Sequence, residues 1–194
     1  YEILIGLVGS EMCIRDRPRR KELLSGLGIC YEVKTLPGIE ESYPDTLSGE
    51  EIPVFIACEK ADAYRQTMHS DELIITADTI VWLDGLVMGK PEDEEDARRM
   101  LRCLSGKTHQ VITGVCLTTT EFQKSFATVT DVTFAELTEE EIDYYVQKYK
   151  PMDKAGSYGI QEWIGFVGVE GITGSYFNVM GLPIQRLYKE LKKL

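Results

Sequence analysis

Apolar residues recur along the chain in short runs bounded by glycine, proline and acidic residues, which is a pattern typical of β-strands. Strand-like patterns occur at 29–35, 72–76, 79–83, 86–88, 108–119 and 125–136. Asp84-Gly85 predicts the turn into the 86–88 run. Because Ala77-Asp78 separates two of the apolar runs, we expect Asp78 to lie at a strand end or break.

Helices are indicated by capping residues and by proline or acidic residues in a first turn. These signals predict helices over 18–24, 48–66, 92–104 and 138–148, and from about 183 to the C-terminus. Ser48 with Glu51 and Thr138 with Glu141 are capping-box pairs. Helices and strands alternate without a strict βα repeat, so we predict a mixed α/β fold.

The length and composition are those of an ordinary globular protein. A chain of 194 residues fits one domain, or one domain with a small appended lobe. Apolar residues make up 43% and charged residues 27%, which argues against a disordered, collagen-like or coiled-coil chain. The segment 165–181 contains five glycines, and turns between strands would explain them equally well as a functional loop.

The charge balance makes some partners unfavourable. The 21 basic and 32 acidic residues leave a net charge of −11, which disfavours general binding to nucleic acid or to an anionic membrane. The apolar run 3–8 is too short to span a bilayer. Five cysteines form no C-x-x-C pair, so we expect reduced thiols and a cytoplasmic protein. Local basic clusters still allow a small anionic ligand.

Two clusters of charged residues have both a chemical and a simpler interpretation. Pro18-Arg19-Arg20 opens a helix, where guanidinium groups and backbone N–H groups favour an anion, but a solvated basic turn has the same sequence. Glu40-Glu41 together with Asp78 would suit Mg²⁺ and an activated water. Acidic residues are also common in turns that have no catalytic role.

Two lysines and one glutamine are further candidates. Lys60 or Lys90 could neutralise a polyphosphate as a point charge, although a single lysine indicates little by itself. The Gln161 amide both donates and accepts, so it matches the imide edge of a pyrimidine or stabilises a turn. His69 and His109 lie in no ligand spacing, and the usual nucleophile-elbow, P-loop and dinucleotide-binding motifs are absent from the sequence.

The order of the motifs is more specific than any one of them, and it resembles the Maf family of nucleoside triphosphate pyrophosphatases. The motifs are Pro-Arg-Arg-x-Glu-Leu-Leu at 18–24, Gly-Ile-Glu-Glu at 38–41, Glu-Lys-Ala at 59–61, Ala-Asp-Thr-Ile-Val at 77–81, Gly-Lys-Pro at 89–91, Leu-Ser-Gly-Lys-Thr-His at 104–109, Asp-Lys-Ala-Gly-Ser-Tyr-Gly-Ile-Gln at 153–161 and Gly-Ser-Tyr-Phe-Asn-Val-Met-Gly-Leu-Pro at 174–183. The resemblance implies a Maf/inosine-triphosphatase-like mixed sheet with flanking helices, two lobes around a nucleotide cleft, and a homodimer.

The resemblance also implies an activity and its residues. The family cleaves a nucleoside triphosphate between the α and β phosphates, with a divalent metal, Mg²⁺ or Mn²⁺. Asp78 matches the family's proton acceptor for the attacking water, and Glu41 with Asp78 matches the acids that hold the metal. Lys60, Lys90 and Arg20 match the basic residues around the phosphates, and the two lysines join Asp78 as expected catalytic residues.

Three positions resemble one branch of the family in particular. The branch selective for dTTP and UTP carries Arg, Thr and Gln where the 7-methyl-GTP branch carries Trp, Gln and Glu. This chain has Arg19, Thr79 and Gln161 at these positions. The resemblance therefore implies a dTTP/UTP pyrophosphatase, with these three residues binding substrate. The alternatives are a house-cleaning pyrophosphatase for modified nucleotides and a non-enzymatic regulator of septum formation.

The N-terminus departs from the family pattern. The family opens with an apolar strand and Ala-Ser-x-Ser-Pro-Arg-Arg, but here 11–17 precede Pro18 and both serines are missing. The string 7–17 resembles a peptide that recurs in translations of sequencing-adapter remnants. We expect residues 1–17 to be a non-native or aberrant segment and 18–194 to form a single Maf-like domain. If the segment is native, the phosphate loop is altered and activity is in question.

Overall fold

The structure is a computed structural model that describes residues 3–6, 18–33, 39 and 41–194, with only the backbone described for 3–6 and 18. The chain divides into two compact units. The first unit comprises Tyr1–Asp78, Thr113–Thr128 and Gly181–Leu194, and the second comprises Thr79–Ile112 and Val129–Met180. The expectation of a single domain over 18–194 stays a prediction.

The described residues form one six-stranded sheet and seven α-helices, so the mixed α/β class is confirmed. The strands are β1 (Ile3–Gly6), β2 (Glu72–Leu83), β3 (Leu86–Met88), β4 (Thr108–Thr118), β5 (Gln123–Phe134) and β6 (Val169–Thr173). Their order is β1-β2-β4-β5-β6, and β3 pairs with β2. β1 and β3 are antiparallel to β2, and β6 is antiparallel to β5.

The helices of the described part are α1 (Pro18–Ser25), α2 (Glu51–Arg65), α3 (Glu94–Leu104), α4 (Glu139–Tyr149), α5 (Trp163–Gly168), α6 (Tyr176–Met180) and α7 (Ile184–Leu191). Five of the seven helices follow the predicted boundaries closely, whereas α5 and α6 were not predicted. The capping box at α4 is confirmed, because Thr138 Oγ1 accepts from the Glu141 N–H at 3.2 Å and the Glu141 carboxylate accepts from the Thr138 N–H at 2.8 Å. Asp93 caps α3, because its side chain accepts from the Asp96 N–H at 2.8 Å.

The predicted break at Asp78 is wrong. β2 runs without interruption from Glu72 to Leu83, and Asp78 lies in its interior with only 7% of its surface exposed. Ala77-Asp78 resembled a break because both residues have low β-propensity. The strand continues because an ammonium group from another element, Lys60, lies 2.9 Å from the Asp78 carboxylate.

Two other expectations differ from the structure. Within 29–33 the structure shows an isolated bridge at Glu32 rather than a strand, and residues 34 and 35 lie outside the described part. The glycine-rich segment holds two short helices and β6 instead of turns alone. Gly165 allows the first of these helices to form, because a Cβ there would lie 1.8 Å from the Ile160 carbonyl oxygen.

The core of the second unit forms around α3 and α4. Apolar side chains from both helices pack together with residues of the strands and of the 158–164 segment. The buried members are Val81, Leu83, Met88, Ala97, Met100, Leu101, Leu104, Val111, Val132, Phe134, Ile142, Tyr145, Val146, Tyr158, Ile160 and Ile164. This core supports the loop that contains Gln161.

In the first unit, α2 lies very close to the sheet. Thr76 Oγ1 donates to the Ala57 carbonyl oxygen at 2.6 Å, which joins β2 directly to the helix backbone. Gly114 of β4 lies against the backbone of Pro53, where an added Cβ would be 2.3 Å from the carbonyl carbon. This close approach brings Lys60 of α2 within hydrogen-bond reach of β2.

The N-terminal expectation concerns residues that are mostly outside the described part, namely 1–2 and 7–17. The backbone of Ile3–Gly6 pairs with β2 in the register Ile3 to Ile75 and Gly6 to Glu72. The aberrant origin of 1–17 stays a prediction. Among the described helices, none combines the length and apolar composition needed to cross a membrane.

Replacing Gly114 by alanine should destabilise the protein, because the new methyl group would overlap the Pro53 backbone. We expect Gly114→Ala to lower the free energy of unfolding by about 1–3 kcal/mol, measured by urea denaturation. Gly171→Ala in β6 is the matched control, since a Cβ there has no heavy atom within 4 Å. Equal stability of the two variants would contradict the close approach of α2 to β4.

Candidate active site

A buried lysine joins two of the predicted site acids in the first unit. Lys60 Nζ donates to Asp78 Oδ1 at 2.9 Å and to Glu41 Oε1 at 3.0 Å. Lys60 is 2% exposed and Asp78 is 7% exposed, whereas Glu41 is exposed to solvent. Three residues that are far apart in the sequence therefore form one charged cluster. Glu40, the neighbour of Glu41, lies outside the described residues.

The buried face of α2 places Lys60 in this cluster. Ile56 and Tyr64 lie four residues before and after Lys60, and both are buried on the same face of the helix. A lysine on an apolar face needs a partner, because an isolated ammonium group is costly to remove from water. Asp78 on β2 and Glu41 in the preceding loop supply the compensating charges.

The cluster suits a divalent cation whose other ligands are waters and phosphate oxygens. One ammonium and two carboxylates give a formal charge of 1 − 2 = −1, with both carboxylates within hydrogen-bond distance of one nitrogen. Among the described residues no group of three or more His, Cys, Asp or Glu side chains could hold a metal ion. Mg²⁺ commonly uses one or two protein carboxylates and completes its shell with waters and phosphate oxygens. Glu41 and Asp78 match that donor set.

Arg20 lies against the strand segment that carries Asp78. Its Nη1 donates to the Ala77 carbonyl oxygen at 2.8 Å, and its Nε donates to the Gly181 carbonyl oxygen at 2.7 Å. The side chain is buried, with 3% exposure. The guanidinium group is thus held in place by backbone oxygens of the first unit. Arg19, its neighbour on α1, is half-buried.

The other three predicted site residues belong to the second unit. Thr79 follows Asp78 on β2, so the two side chains extend to opposite faces of the strand. Lys90 is exposed and follows β3, where the Gly89 carbonyl accepts from the Gly156 N–H at 3.0 Å. Gln161 Oε1 is buried and has no hydrogen-bond partner within the described part of the chain.

Two residues near Gln161 were not singled out by the sequence analysis. The Tyr145 hydroxyl donates to the Glu162 carboxylate and accepts from the Gly159 N–H at 3.0 Å. Tyr145 could have been found from its spacing with Ile142 and Val146, which places it on the buried face of α4. A buried tyrosine hydroxyl requires hydrogen-bond partners, but the sequence does not say which residues supply them.

A second buried pair supports the same loop. His109 Nε2 and the Tyr158 hydroxyl are 2.7 Å apart, and both residues are almost fully buried. Burial lowers the pKa of His109 to about 4 and raises the pKa of Tyr158 above its ordinary value. Both groups are therefore neutral at physiological pH, and His109 has a packing role rather than that of a proton acceptor.

The described residues form a mixed α/β protein with a buried acid–lysine–acid cluster, and comparison with known families shows the family to which it belongs. A family model described as Maf-like protein matches residues 17–194. The chain belongs to this family. The expectation from the motif order is thereby confirmed.

Named relatives resemble the chain over nearly its whole length. The dTTP/UTP pyrophosphatase of Phocaeicola vulgatus is 81% identical over 179 residues, which are 92% of this chain and 93% of the relative. The protein of the same name from Bacteroides fragilis is 71% identical over the same shares. That of Porphyromonas gingivalis is 55% identical over 194 residues, 99% of this chain and 94% of the relative.

Replacing Lys60 by methionine should destabilise the first unit strongly, because Asp78 would remain buried without its counter-charge. We expect Lys60→Met to lower the free energy of unfolding by about 3–5 kcal/mol. Glu41→Gln should cost at most about 1 kcal/mol, since the Glu41 side chain is 39% exposed and its charge is solvated. Urea denaturation of both variants measures the difference.

The matched control for Lys60 is Lys107→Met. Lys107 pairs with Asp84 at 3.2 Å, but both side chains are more than half exposed. We expect this variant to stay within about 1 kcal/mol of the unmodified protein. A Lys60→Met variant as stable as Lys107→Met would refute the buried bridge.

Proposed function

We propose that this chain is a dTTP/UTP pyrophosphatase, which converts a nucleoside triphosphate and water into the nucleoside monophosphate and pyrophosphate. The observation that carries the proposal is the similarity to proteins of this name at 55–81% identity across more than nine-tenths of the chain. The cluster of Glu41, Lys60 and Asp78 supports it, because these charges suit phosphoanhydride hydrolysis.

Asp78 is the proposed proton acceptor. Its Oδ1 accepts from Lys60, so the task of orienting and deprotonating water falls to Oδ2. The oxygen of that water bonds to the α phosphorus, and the bond from the α phosphorus to the bridging oxygen breaks. The proton passes to Asp78, and the bond electrons leave with pyrophosphate.

The basic residues offset the charge of the substrate. A triphosphate approaches a protein of net charge −11, so local cations must supply the attraction. We assign this role to Lys60, Lys90 and Arg20. Lys60 has three N–H donors and uses two for the carboxylates, which leaves one for a phosphate oxygen.

Glu41 and Asp78 are the residues that would hold a divalent cation, Mg²⁺ or Mn²⁺. When bound, the cation would offset phosphate charge as a Lewis acid. Of these two residues, Glu41 is the more exposed to solvent. Lys60 contacts both carboxylates.

The base is the proposed target of Gln161, with Arg19 and Thr79 as further substrate-binding residues. A uracil or thymine ring presents an N3–H donor between two carbonyl acceptors. The Gln161 amide can accept that hydrogen at Oε1 and donate from its nitrogen to O4. The buried Oε1 without a described partner supports this role, because buried acceptors are normally hydrogen-bonded.

Two further expectations stay predictions. The family resemblance implies a homodimer, and the composition implies a cytoplasmic location. The cysteines at positions 30, 58, 103 and 116 carry free thiols, as a reducing compartment requires.

Replacing Asp78 by asparagine should abolish most of the activity. We expect Asp78→Asn to lower kcat for dTTP and UTP by about 10²–10⁴-fold, the usual contribution of a positioned proton acceptor. Pyrophosphate release with Mg²⁺ or Mn²⁺ measures the rate. Asp84→Asn is the matched control, since Asp84 is an exposed turn residue of the same chain segment.

A folding check accompanies this experiment, because Asp78 partners a buried lysine. Asp78→Glu retains the charge and moves the carboxylate by one methylene, so it should fold and still lose most of its rate. Turnover of dTTP by folded Asp78→Glu and Asp78→Asn at the unmodified rate would exclude Asp78 from the reaction. A nucleotide panel including modified pyrimidines, run on the unmodified protein, tests the proposed substrates.

Replacing Gln161 by glutamate should reduce the preference for pyrimidines. The change replaces the amide donor with a second acceptor, which then faces the O4 carbonyl oxygen. We expect kcat/KM for dTTP and UTP to fall by roughly 5- to 150-fold, the effect of an unpaired polar contact of about 1–3 kcal/mol. Gln147→Glu on the exposed face of α4 makes the same charge change and should leave both values unaltered. Unchanged pyrimidine kinetics in Gln161→Glu would mean that Gln161 does not contact the base.

A further inference from the structure

One hydroxyl group holds the chain on both sides of Gln161. Tyr145 accepts a hydrogen bond from the Gly159 N–H, two residues before Gln161, at 3.0 Å. The same hydroxyl donates its hydrogen to the carboxylate of Glu162, the residue that follows Gln161. A segment of four residues is therefore tied to α4 at its first and last positions.

Backbone contacts close the same segment into a turn. The Glu162 N–H donates to the Gly159 carbonyl at 2.9 Å, and the Gly165 N–H donates to the Glu162 carbonyl at 2.9 Å. Gly159 and Glu162, which both contact the Tyr145 hydroxyl, are therefore also the first and last residues of this turn. Gln161 lies inside this turn, so the position of its backbone depends on the two anchoring residues.

The anchor itself is rigid. Tyr145 is fully buried, and its ring stacks on Tyr149 with the centroids 5.1 Å apart. Lys154 Nζ lies 3.2 Å from Glu162 Oε1, and the Lys154 side chain is largely buried. The carboxylate that accepts from Tyr145 is therefore itself held by a cation. A hydroxyl with one donated and one accepted bond has its hydrogen-bonding capacity largely filled.

We propose that Tyr145 and Glu162 are positioning residues that set the base selectivity of the enzyme by holding Gln161 in place. The inference rests on the proposed function, in which Gln161 contacts the pyrimidine. Hydrogen-bond recognition requires geometry accurate to about 0.5 Å. The Gln161 amide is the group that this anchor controls, whereas the cluster of Glu41, Lys60 and Asp78 is held by contacts within the first unit.

Removing the hydroxyl should impair recognition of the base without impairing recognition of the phosphates. Tyr145→Phe keeps the buried ring but leaves the Gly159 N–H and the Glu162 carboxylate without this partner. We expect kcat/KM for dTTP and UTP to fall by about 5- to 30-fold, mainly through KM. The inhibition constant of inorganic tripolyphosphate, which has no base, should change less than about two-fold, since its contacts do not involve Gln161.

Tyr149→Phe is the matched control, because it removes a hydroxyl from the ring that stacks on Tyr145. It should leave the dTTP, UTP and tripolyphosphate values unaltered. A general loss of packing in α4 would weaken the nucleotides and tripolyphosphate together, and this result in folded Tyr145→Phe would overturn the inference. Unaltered dTTP and UTP kinetics in folded Tyr145→Phe would overturn it as well.

A second variant tests the pair and also serves if Tyr145→Phe does not fold. Glu162→Gln keeps an acceptor for Tyr145 but removes the charge that pairs with Lys154. We expect a smaller loss for dTTP than in Tyr145→Phe, again without an effect on tripolyphosphate. In the double variant the losses should be non-additive, because both changes weaken one hydrogen bond. Full additivity would show that the residues act separately.

Different outcomes test the contact of Gln161 with the base and the positioning role of Tyr145 and Glu162. If Gln161→Glu leaves pyrimidine kinetics unchanged, the proposed contact between Gln161 and the base is wrong. If Gln161→Glu lowers them while folded Tyr145→Phe and Glu162→Gln do not, the contact stands and the positioning role is wrong.

Discussion

The first unit depends on the compensation of one buried ammonium group. Lys60 lies on the apolar face of α2, where its charge would be unfavourable without the carboxylates of Asp78 and Glu41. The interaction is reciprocal, because Asp78 lies in the interior of β2 and also needs a counter-charge. The close approach of α2 to the sheet at Ala57 and Gly114 makes the interaction possible. In the first unit, the ion pairs that compensate a buried charge are therefore the same contacts that form the candidate active site.

The three groups of the cluster differ in how strongly they are held. Lys60 and Asp78 are buried and have little freedom to move, whereas Glu41 is on the solvent side. Such an arrangement keeps Asp78, the proposed proton acceptor, in a fixed orientation. The more exposed Glu41 carboxylate has more room to change its orientation. Reorganisation of fixed groups during a reaction is small, which is the basis of electrostatic stabilisation in active sites.

The second unit contains a hydrogen bond between two neutral buried side chains and another that ends on a carboxylate. His109 and Tyr158 are neutral because burial disfavours their charged forms, and they contribute a hydrogen bond within the core. Tyr145 links that core region to the Glu162 carboxylate.

Local signals in the sequence were sufficient for much of this structure. The capping pair of Thr138 and Glu141, the Asp84-Gly85 turn and the long apolar runs predict α4, β3, β4 and β5 because each depends on residues close together in the chain. The motif order also identified the family. Tertiary structure alone decided that β2 continues through Asp78, that Lys60 bridges Asp78 and Glu41, and that Tyr145 contacts Glu162. These features depend on which element packs beside a buried polar group, and local propensity carries no information about partners 17–19 residues away.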